Sequence, residues 1–589
     1  MADRAAWVQD RPVLFLGKWC CPISRQDQWR ATDVEFVPYH WDDRGKYCAD
    51  YQYLESVYEQ ILECCRSALN AFHGSSFSLR YWRILIGPWL YQFLHMLYDR
   101  WSMIRVATRL YDIEDTYIVQ YPEARMIPAD LRSLDPDSVA WNHYICGEII
   151  KYLGTIRWHP VAPVSEAMLQ DAPTLGRGTT GWAKVAGRNI SRLLEKFTRE
   201  DEALLIATYL PRWAEARLQL SLGQIPKAWA VPQFPKVAPS SVCRAKFIVS
   251  DVTRDEFVKC ACSILSRQIP TVFLEGYGQL TEAADNLPWP KKPKVIFTSN
   301  LYQFNEMFQA WAAAKTEQGR PLVIGQHGGF FGVGKWVAGE EHQVKISDRF
   351  LTWGWKDERP QTYPAVALTN IGKSQPVFDL RGALLMVSVP IRLMSFKSSS
   401  WPIGANQSEE FINGQLQLAR HLDERIRRHV IFRIHAKLDQ KMGSFYSDRW
   451  RADFPEVKID DSTSPIEERI RDSRLFVYTY NSTGFLESLG RNIPTIVFWS
   501  QRHFELRESA QPYFKKLKDV GIFHDTPQSA AAHIQAIWDD VAQWWQQPKV
   551  QEARRQFCEQ YACMPSNPLK VLKQALLSAR SHTEHAASR

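Results

Sequence analysis

The sequence lacks the marks of several large protein classes. Its most apolar stretch, Ile84–Leu97, is bounded by Arg83 and Asp99 and falls short of the ~18 apolar residues that a membrane-spanning helix needs. The opening residues, MADRAAWVQDRP, contain no apolar core of a secretory signal, so none is expected. Lys and Arg total 72 against 64 Asp and Glu, a net charge of +8 spread along the chain without a long basic block. That excludes the concentrated basic face of a nucleic-acid binder and suits an anionic small molecule or an acidic membrane surface. The run Arg425–Arg428 reads as a solvated helix face. There are 11 cysteines, an odd number, and no CxxC has a matching second pair. A disulfide scaffold and a structural zinc site are therefore not expected, and a reducing cytoplasm is the simplest compartment. Glu341-His342-Gln343 has no second His at zinc-motif spacing. Asp135-Pro-Asp137 resembles a metal-binding acidic pair but sits in a Pro-containing turn, so no metal is called for. No internal repeat is present.

What is present is an ordinary globular composition with many aromatics. The chain has 589 residues, 45% hydrophobic and 23% charged, with 23 Trp, 22 Tyr and 29 Phe. At about 150 residues per domain, this length corresponds to two to four domains. Aromatics serve large cores, and they also serve as platforms for sugars and bases.

Apolar strings alternate with helical periodicity. Val13–Leu16 reads as a strand running into the loop Gly17-Lys-Trp19-Cys20. Residues 50–110, 138–156 and 189–222 read as helices, and Pro-containing 226–239 as a linker. Four strings, 247–250, 271–274, 295–298 and 322–325, read as strands, with a helix over 303–316. A second series begins near 348, with strands at 349–352, 383–389, 430–433, 475–478 and 495–498. This alternation is that of open parallel sheets. The expected organisation is an N-terminal α/β half over 1–340 with a helical insertion at about 50–230, a C-terminal α/β half over 341–525, and a helical tail over 526–589.

Three clusters carry chemistry. Gly325-Gln-His327-Gly328-Gly329-Phe-Phe-Gly-Val-Gly-Lys335-Trp336 follows a strand, where open α/β sheets bind ligands and glycine lets backbone N–H groups approach an anion. It fits G-x-x-x-x-G-K, but Trp336 stands where a P-loop needs Ser or Thr for magnesium, which excludes an NTPase. His327 then becomes the candidate acid or base. In Phe432-Arg433-Ile-His435, strand alternation puts Arg433 and His435 on one side, both suited to a phosphate. In Tyr478-Thr-Tyr-Asn481-Ser482-Thr483-Gly484-Phe-Leu-Glu487, a strand runs into a helix whose first N–H groups can hold a phosphate. There Glu487 can accept from ribose hydroxyls. Further candidates are Arg80 and Arg83, one helical turn apart and able to grip a carboxylate, and Trp19, Trp82, Trp89, Trp336, Trp353 and Trp355, which lie beside loops, arginines or glycines.

Together the three clusters resemble a two-domain GT-B glycosyltransferase, which implies two Rossmann-like domains facing a cleft. The C-terminal domain would hold a nucleotide sugar and the N-terminal domain an acceptor. Arg433-x-His435 is similar to the basic-x-His element of transferases that use CMP-activated acidic sugars (sialyl- and Kdo-type), and Asn481-Ser482-Thr483 to their paired-serine loop. Leu14–Cys20, Arg80–Leu90, the His327 loop and Ser347–Trp355 resemble a bacterial transferase family of about this length, associated with O-antigen and other surface-polysaccharide loci. The resemblance implies His327 and His435 as catalytic residues. It implies donor contacts from Arg433, His435, Asn481, Ser482, Thr483, Gly484, Glu487, Gly328 and Gly329, and substrate contacts from Trp19, Arg80, Arg83 and Lys335. It calls for no cofactor. The partners would be a nucleotide-sugar donor and a glycan or lipid-linked acceptor, in the cytoplasm, with peripheral membrane contact allowed. Two alternatives stay open: a transferase of CDP-activated alcohols, as in teichoic-acid-like polymers, and a non-catalytic glycan-binding assembly protein.

Overall fold

Short apolar strings bounded by Gly, Pro or polar residues supply most of the strands. The computed structural model describes residues 12–20, 33–134, 137–162, 198–249, 254–377, 379–392, 394–398, 402–441 and 444–579. Strands β1 (Val13–Phe15) and β2 (Val34–Phe36) form one small parallel pair, and β3 (Asp115–Val119) and β4 (Arg157–Val161) another. The first large sheet runs in chain order through β5 (Leu204–Leu205), β6 (Ile296–Thr298), β7 (Leu322–Gly325), β8 (Arg349–Thr352) and β9 (Thr362–Pro364), all parallel. The second contains β10 (Ala383–Val387), β11 (Val430–Arg433), β12 (Lys458–Asp460), β13 (Ser473–Tyr478), β14 (Thr495–Phe498) and β15 (Phe523–His524). Its spatial order is β12-β11-β10-β13-β14-β15, again all parallel. Counted from β10, that is the 3-2-1-4-5-6 order of the dinucleotide-binding fold, with its switch point between β10 and β13. The expected α/β fold is present, with two Rossmann-like domains.

The sheets divide the chain differently from the expected boundary at 340. Val323 pairs with Arg349 and Ile324 with Phe350, so the 349–352 strand belongs to the first sheet, and the sheets part between Pro364 and Ala383. The proposed insertion at 50–230 also contains β5, the edge of the first sheet. Two expected strands are absent. Residues 247–249 are irregular, and the Val249 N–H donates to Ser266 Oγ rather than to a ladder. Thr271–Phe273 is a single 3-10 turn after Pro270, held on the Pro128 and Ala129 carbonyls. Both segments bury apolar side chains without joining a sheet. The helical face expected at Ile190–Phe197, and Asp135 and Pro136 of the acidic turn, lie outside the described residues.

The insertion is built on two long helices, α1 (Arg44–His73) and α2 (Leu79–Leu110), with α3 (Val139–Leu153) beside them. Asp43 caps α1 by accepting from the Lys46 N–H, and Ser78 caps α2 by accepting from Tyr81. The apolar stretch Ile84–Leu97 is the centre of α2 and lies buried in the protein core. Among the described residues, no helix is long and apolar enough to cross a membrane. In the second domain, β13 runs into α4 (Thr483–Gly490). The tail is not a separate unit. Its last helix, α5 (Pro568–Leu577), returns to the first sheet, where Arg349 donates to the Ala575 and Ser578 carbonyls and Leu572 and Leu576 are buried.

Two core histidines tie stability to pH. His95 on α2 is fully buried against Tyr91, and burial holds it down at about 3. His342 shares a hydrogen bond with the Tyr58 hydroxyl and is likewise held at about 3 by burial. Gly87 leaves room for it, since a Cβ there would come within 2.7 Å of the His342 ring. Folded-state values below the unfolded 6.5 mean that the unfolded chain binds the extra protons as the pH falls. Stability is therefore complete above pH 6.5 and declines below it, by about 1.4 kcal/mol per pH unit for each group. Denaturant unfolding between pH 7 and 5 should show this decline, and His95→Leu should remove one proton's share of the slope. Parallel curves for wild type and variant would show that His95 does not contribute.

Candidate functional site

The tryptophan string after β8 is organised by one side chain. Gln326, buried just past β7, accepts at Oε1 from the Trp353 N–H and from Trp355 Nε1. Its Nε2 donates to the Gly328 carbonyl, and its own carbonyl accepts from Trp353 Nε1. This locks the start of the glycine loop. Glu340 holds the loop's middle, accepting from the Gly332 N–H at 2.9 Å, from Arg359 at 2.6 Å and from Arg507 of the second domain at 2.9 Å. Gly332, at φ +73, lies against the face of Trp355.

The rest of the loop meets the second domain. Lys335 N donates to the Glu505 carbonyl and Arg507 N to the Val333 carbonyl, so that Gly334 and Leu506 form an antiparallel bridge. Gly329 sits directly on the start of α4. Its N–H donates to Thr483 Oγ1 at 3.1 Å, and a Cβ there would fall 2.3 Å from the Ser482 carbonyl oxygen. The carboxyl ends of β7 and β13 thus face each other across a narrow cleft whose lining includes Phe330, Trp336, Asn481, His503 and Glu505.

On the second-domain side the cleft opens at the switch point. Ser388, after β10, donates to Gln415 Oε1, and Gln415 Nε2 donates to Thr479 Oγ1 after β13. These bonds fix the two strand ends side by side. Asn481 is 2% exposed, yet its Oδ1 has no hydrogen-bond partner. Such a buried orphan calls for a ligand or water. α4 has eight residues and no side chain caps it; Gly329 lies against the Thr483 nitrogen, so the N–H groups beyond Thr483 and the positive end of the dipole remain for an anion. Gly484 lets α4 pack on the Tyr478 ring, 2.5 Å from where a Cβ would stand.

His327 lies just beyond β7 among three aromatic rings, Phe331 at 5.2 Å and Tyr209 and Tyr302 at 6.5 Å. Burial lowers it to about 4 against the opposing pull of Gln343 and the Ser299 carbonyl. The imidazole is therefore neutral at physiological pH and can accept a hydrogen bond.

The whole chain can now be placed. The profile of the LIC12162 family transferase matches residues 2–576. The chain belongs to the LIC12162 transferase family. The transferase matches no curated protein. Among solved structures it overlaps the wall teichoic acid polymerase TagF (10% identity, 68% of this chain and 93% of that one, TM-score 0.32). It overlaps HepE from Anabaena, solved with UDP and glucose (11% identity, 56% and 89%, TM-score 0.32). It also overlaps the UDP-GlcNAc 2-epimerase of Methanocaldococcus jannaschii (12% identity, 48% and 80%, TM-score 0.29).

Several expected contacts of the transferase are occupied elsewhere. Arg433 donates to Asp460 at 2.8 Å and to the Ser464 carbonyl, so it braces β12 and carries no open phosphate contact. Arg80 grips Asp348 through both terminal nitrogens and also the Ile346 carbonyl. Arg83 grips Glu59 the same way. Trp19 is buried, with Arg100 packed over its ring, and Trp82, Trp89, Trp353 and Trp355 are buried too. These residues are structural because a buried cation needs a carboxylate and a buried indole needs a packed wall. Glu487 pairs with Lys373 at 3.0 Å. Lys335 is exposed beside Trp336. His435 lies past the end of β11, so strand alternation no longer aligns it with Arg433. It is exposed, and its Nδ1 accepts from the Leu438 N–H, which puts the proton of the neutral ring on Nε2. His503 also lines the cleft, Tyr209 and Asn300 lie beside His327, and Ser388 ends β10 at the switch point; none of these four carried a sequence motif. Among the described residues no group of three His, Cys, Asp or Glu is arranged to hold a metal.

The Gly329 contact has a direct consequence. Gly329→Val should push the loop off α4 and open the transferase. The radius of gyration by small-angle scattering should rise and the 364–383 connection become easier to cleave by protease, while Gly328→Ala, which meets only the Phe331 ring, should change neither. An unchanged scattering profile for Gly329→Val would show that the cleft does not depend on this contact.

Proposed function

We propose that the transferase moves a sugar from a nucleotide-sugar donor to a glycan or lipid-linked glycan, with the donor on the second domain and the acceptor on the first. The observation that carries this reading is the buried, unpartnered Asn481 Oδ1 beside the uncapped start of α4, at the switch point of a 3-2-1-4-5-6 sheet and opposite the His327 loop. A donor phosphate fits the α4 N–H groups with Ser482 and Thr483 at that helix end, Asn481 Oδ1, an acceptor, calls for a hydroxyl or N–H of the nucleotide, and His435 lies past β11, two strands from β13. Glu487 is available to the ribose if it releases Lys373. An acidic sugar activated by CMP is the donor form that the resemblance around His435 favours.

In the transfer, the bond between the sugar's anomeric carbon and the donor phosphate breaks, and its electron pair leaves with the nucleotide. The α4 N–H groups and the helix dipole stabilise that anion, in place of a metal. The acceptor hydroxyl oxygen supplies the new bond to the anomeric carbon, and its proton passes to neutral His327. The reading places the reaction in the cytoplasm, at or near the inner face of the membrane that carries a lipid-linked acceptor.

Calorimetry with CMP, UDP, GDP and TDP species tests the donor site. One nucleotide should bind, Asn481→Ala should weaken it by about tenfold, the scale of one buried hydrogen bond near 1.4 kcal/mol, and His435→Ala should weaken it too. His327→Ala should keep donor affinity and abolish transfer. Phosphate found in the product would instead make the protein a transferase of phosphorylated alcohols, and no binding of any nucleotide would make it a glycan-binding assembly protein.

A further inference from the structure

The loop after β5 holds two non-glycine residues in the left-handed region within three positions, Ala207 at φ 50 and Tyr209 at φ 63. L side chains rarely adopt that conformation, so the surroundings must enforce it. The Ser299 N–H donates to the Ala207 carbonyl and Ser299 Oγ to the Thr208 carbonyl. Thr208 Oγ1 donates to Glu215 and accepts from the Leu210 N–H. The outcome of this bracing is unusual for a tyrosine. Tyr209 is 44% exposed, its ring lies within 12° of parallel to the His327 ring at 6.5 Å, and its hydroxyl accepts from Asn300 Nδ2 at 2.8 Å. The carboxyl ends of β5, β6 and β7 thus bring Tyr209, Asn300 and His327 together beside the start of the glycine loop.

Alternatives within the fold do not account for this placement. Burial does not, because the ring is exposed, and hydrogen bonding of the phenol does not require a left-handed backbone. The bracing instead holds a flat apolar face toward solvent beside an imidazole, with an amide and a hydroxyl at its edge. A sugar ring has matching chemistry: a patch of C–H groups that lies on an aromatic face and hydroxyls that bond at its rim. We infer that Tyr209 is the acceptor platform, stacking the C–H face of a neutral sugar ring, with Asn300 positioning the phenol and the ring's hydroxyls directed toward His327. This inference rests on the glycosyl-transfer reading above. It identifies the acceptor end as a carbohydrate ring and not a free alcohol or a lipid chain.

Saturation-transfer NMR with the methyl glycosides of glucose, galactose, mannose and N-acetylglucosamine tests it on the full chain. At least one should receive saturation at its ring C–H protons. Tyr209→Phe should keep most of that signal. Tyr209→Ala should lose it at least fivefold, and so should Tyr209→Gly, whose backbone suits φ 63 and keeps the loop's shape. Nucleotide affinity, measured in parallel, should be the same in all four proteins. No glycoside signal from the wild type, or equal signals in wild type and Tyr209→Gly, would overturn the platform even if nucleotide binds. Absent nucleotide binding with an intact, Tyr209-dependent glycoside signal would overturn the donor site alone.

Discussion

The backbone of Gly329 rests on the backbone of Ser482 and Thr483 with no room for a Cβ, and this close approach fixes how the two strand-end loops meet. Both partners are strand-end loops, so closing them on each other brings the carboxyl ends of two parallel sheets to one cleft. The neighbouring Gly334–Leu506 bridge and the Arg507–Glu340 pair repeat the tie a few residues away. Glu340 carries three donors, one from the glycine loop, one from the first domain and one from the second. A carboxylate that buried is stable only when its donors are all in place, so the loop's shape and the domain seam are set together.

The arginines follow the same electrostatic logic. Arg80, Arg83 and Arg433 look from their spacing like anion ligands, yet each faces a carboxylate inside the fold. Along the exposed run, Arg425, Arg427 and Arg428 pair with Asp539, Glu456 and Glu424. These cations are engaged within the fold, whereas Lys335 stays exposed beside Trp336 and Arg44 pairs with Glu505 at the cleft. On the proposed donor reading, an anion is held chiefly by backbone N–H groups and the end of α4, which demands a closer fit than a field of arginines would.

The parts of this fold that could be read from sequence were those where local pattern and burial agree. The strings at 322–325, 430–433, 475–478 and 495–498 are apolar, β-branched or aromatic, and bounded by polar or small residues, and all four are central or near-central strands. The strings at 247–250 and 271–274 have the same composition, but their burial is satisfied by packing on loops and helices, a tertiary outcome that composition does not encode. β5 has only two residues, too few for any periodicity. The 349–352 strand was visible as a strand, but its sheet was not, because membership depends on pairing with Val323 and not on chain order.

The site shows the same division. As candidates, Asn481, Ser482, Thr483 and His327 stand out in sequence because strand–turn–helix junctions carry small polar and glycine residues. The tryptophans misled because rarity marks a position as constrained without saying by what, and here the constraint is Gln326 and the core. Tyr209 left no trace, since a left-handed backbone advertises itself only through Gly, Asn or Asp, and a tyrosine held there by Ser299 and Thr208 reads as ordinary loop. Glycine would relieve the backbone at that position but would remove the ring. On the platform inference, a strained side chain stays exposed beside the candidate base because of the sugar ring it contacts.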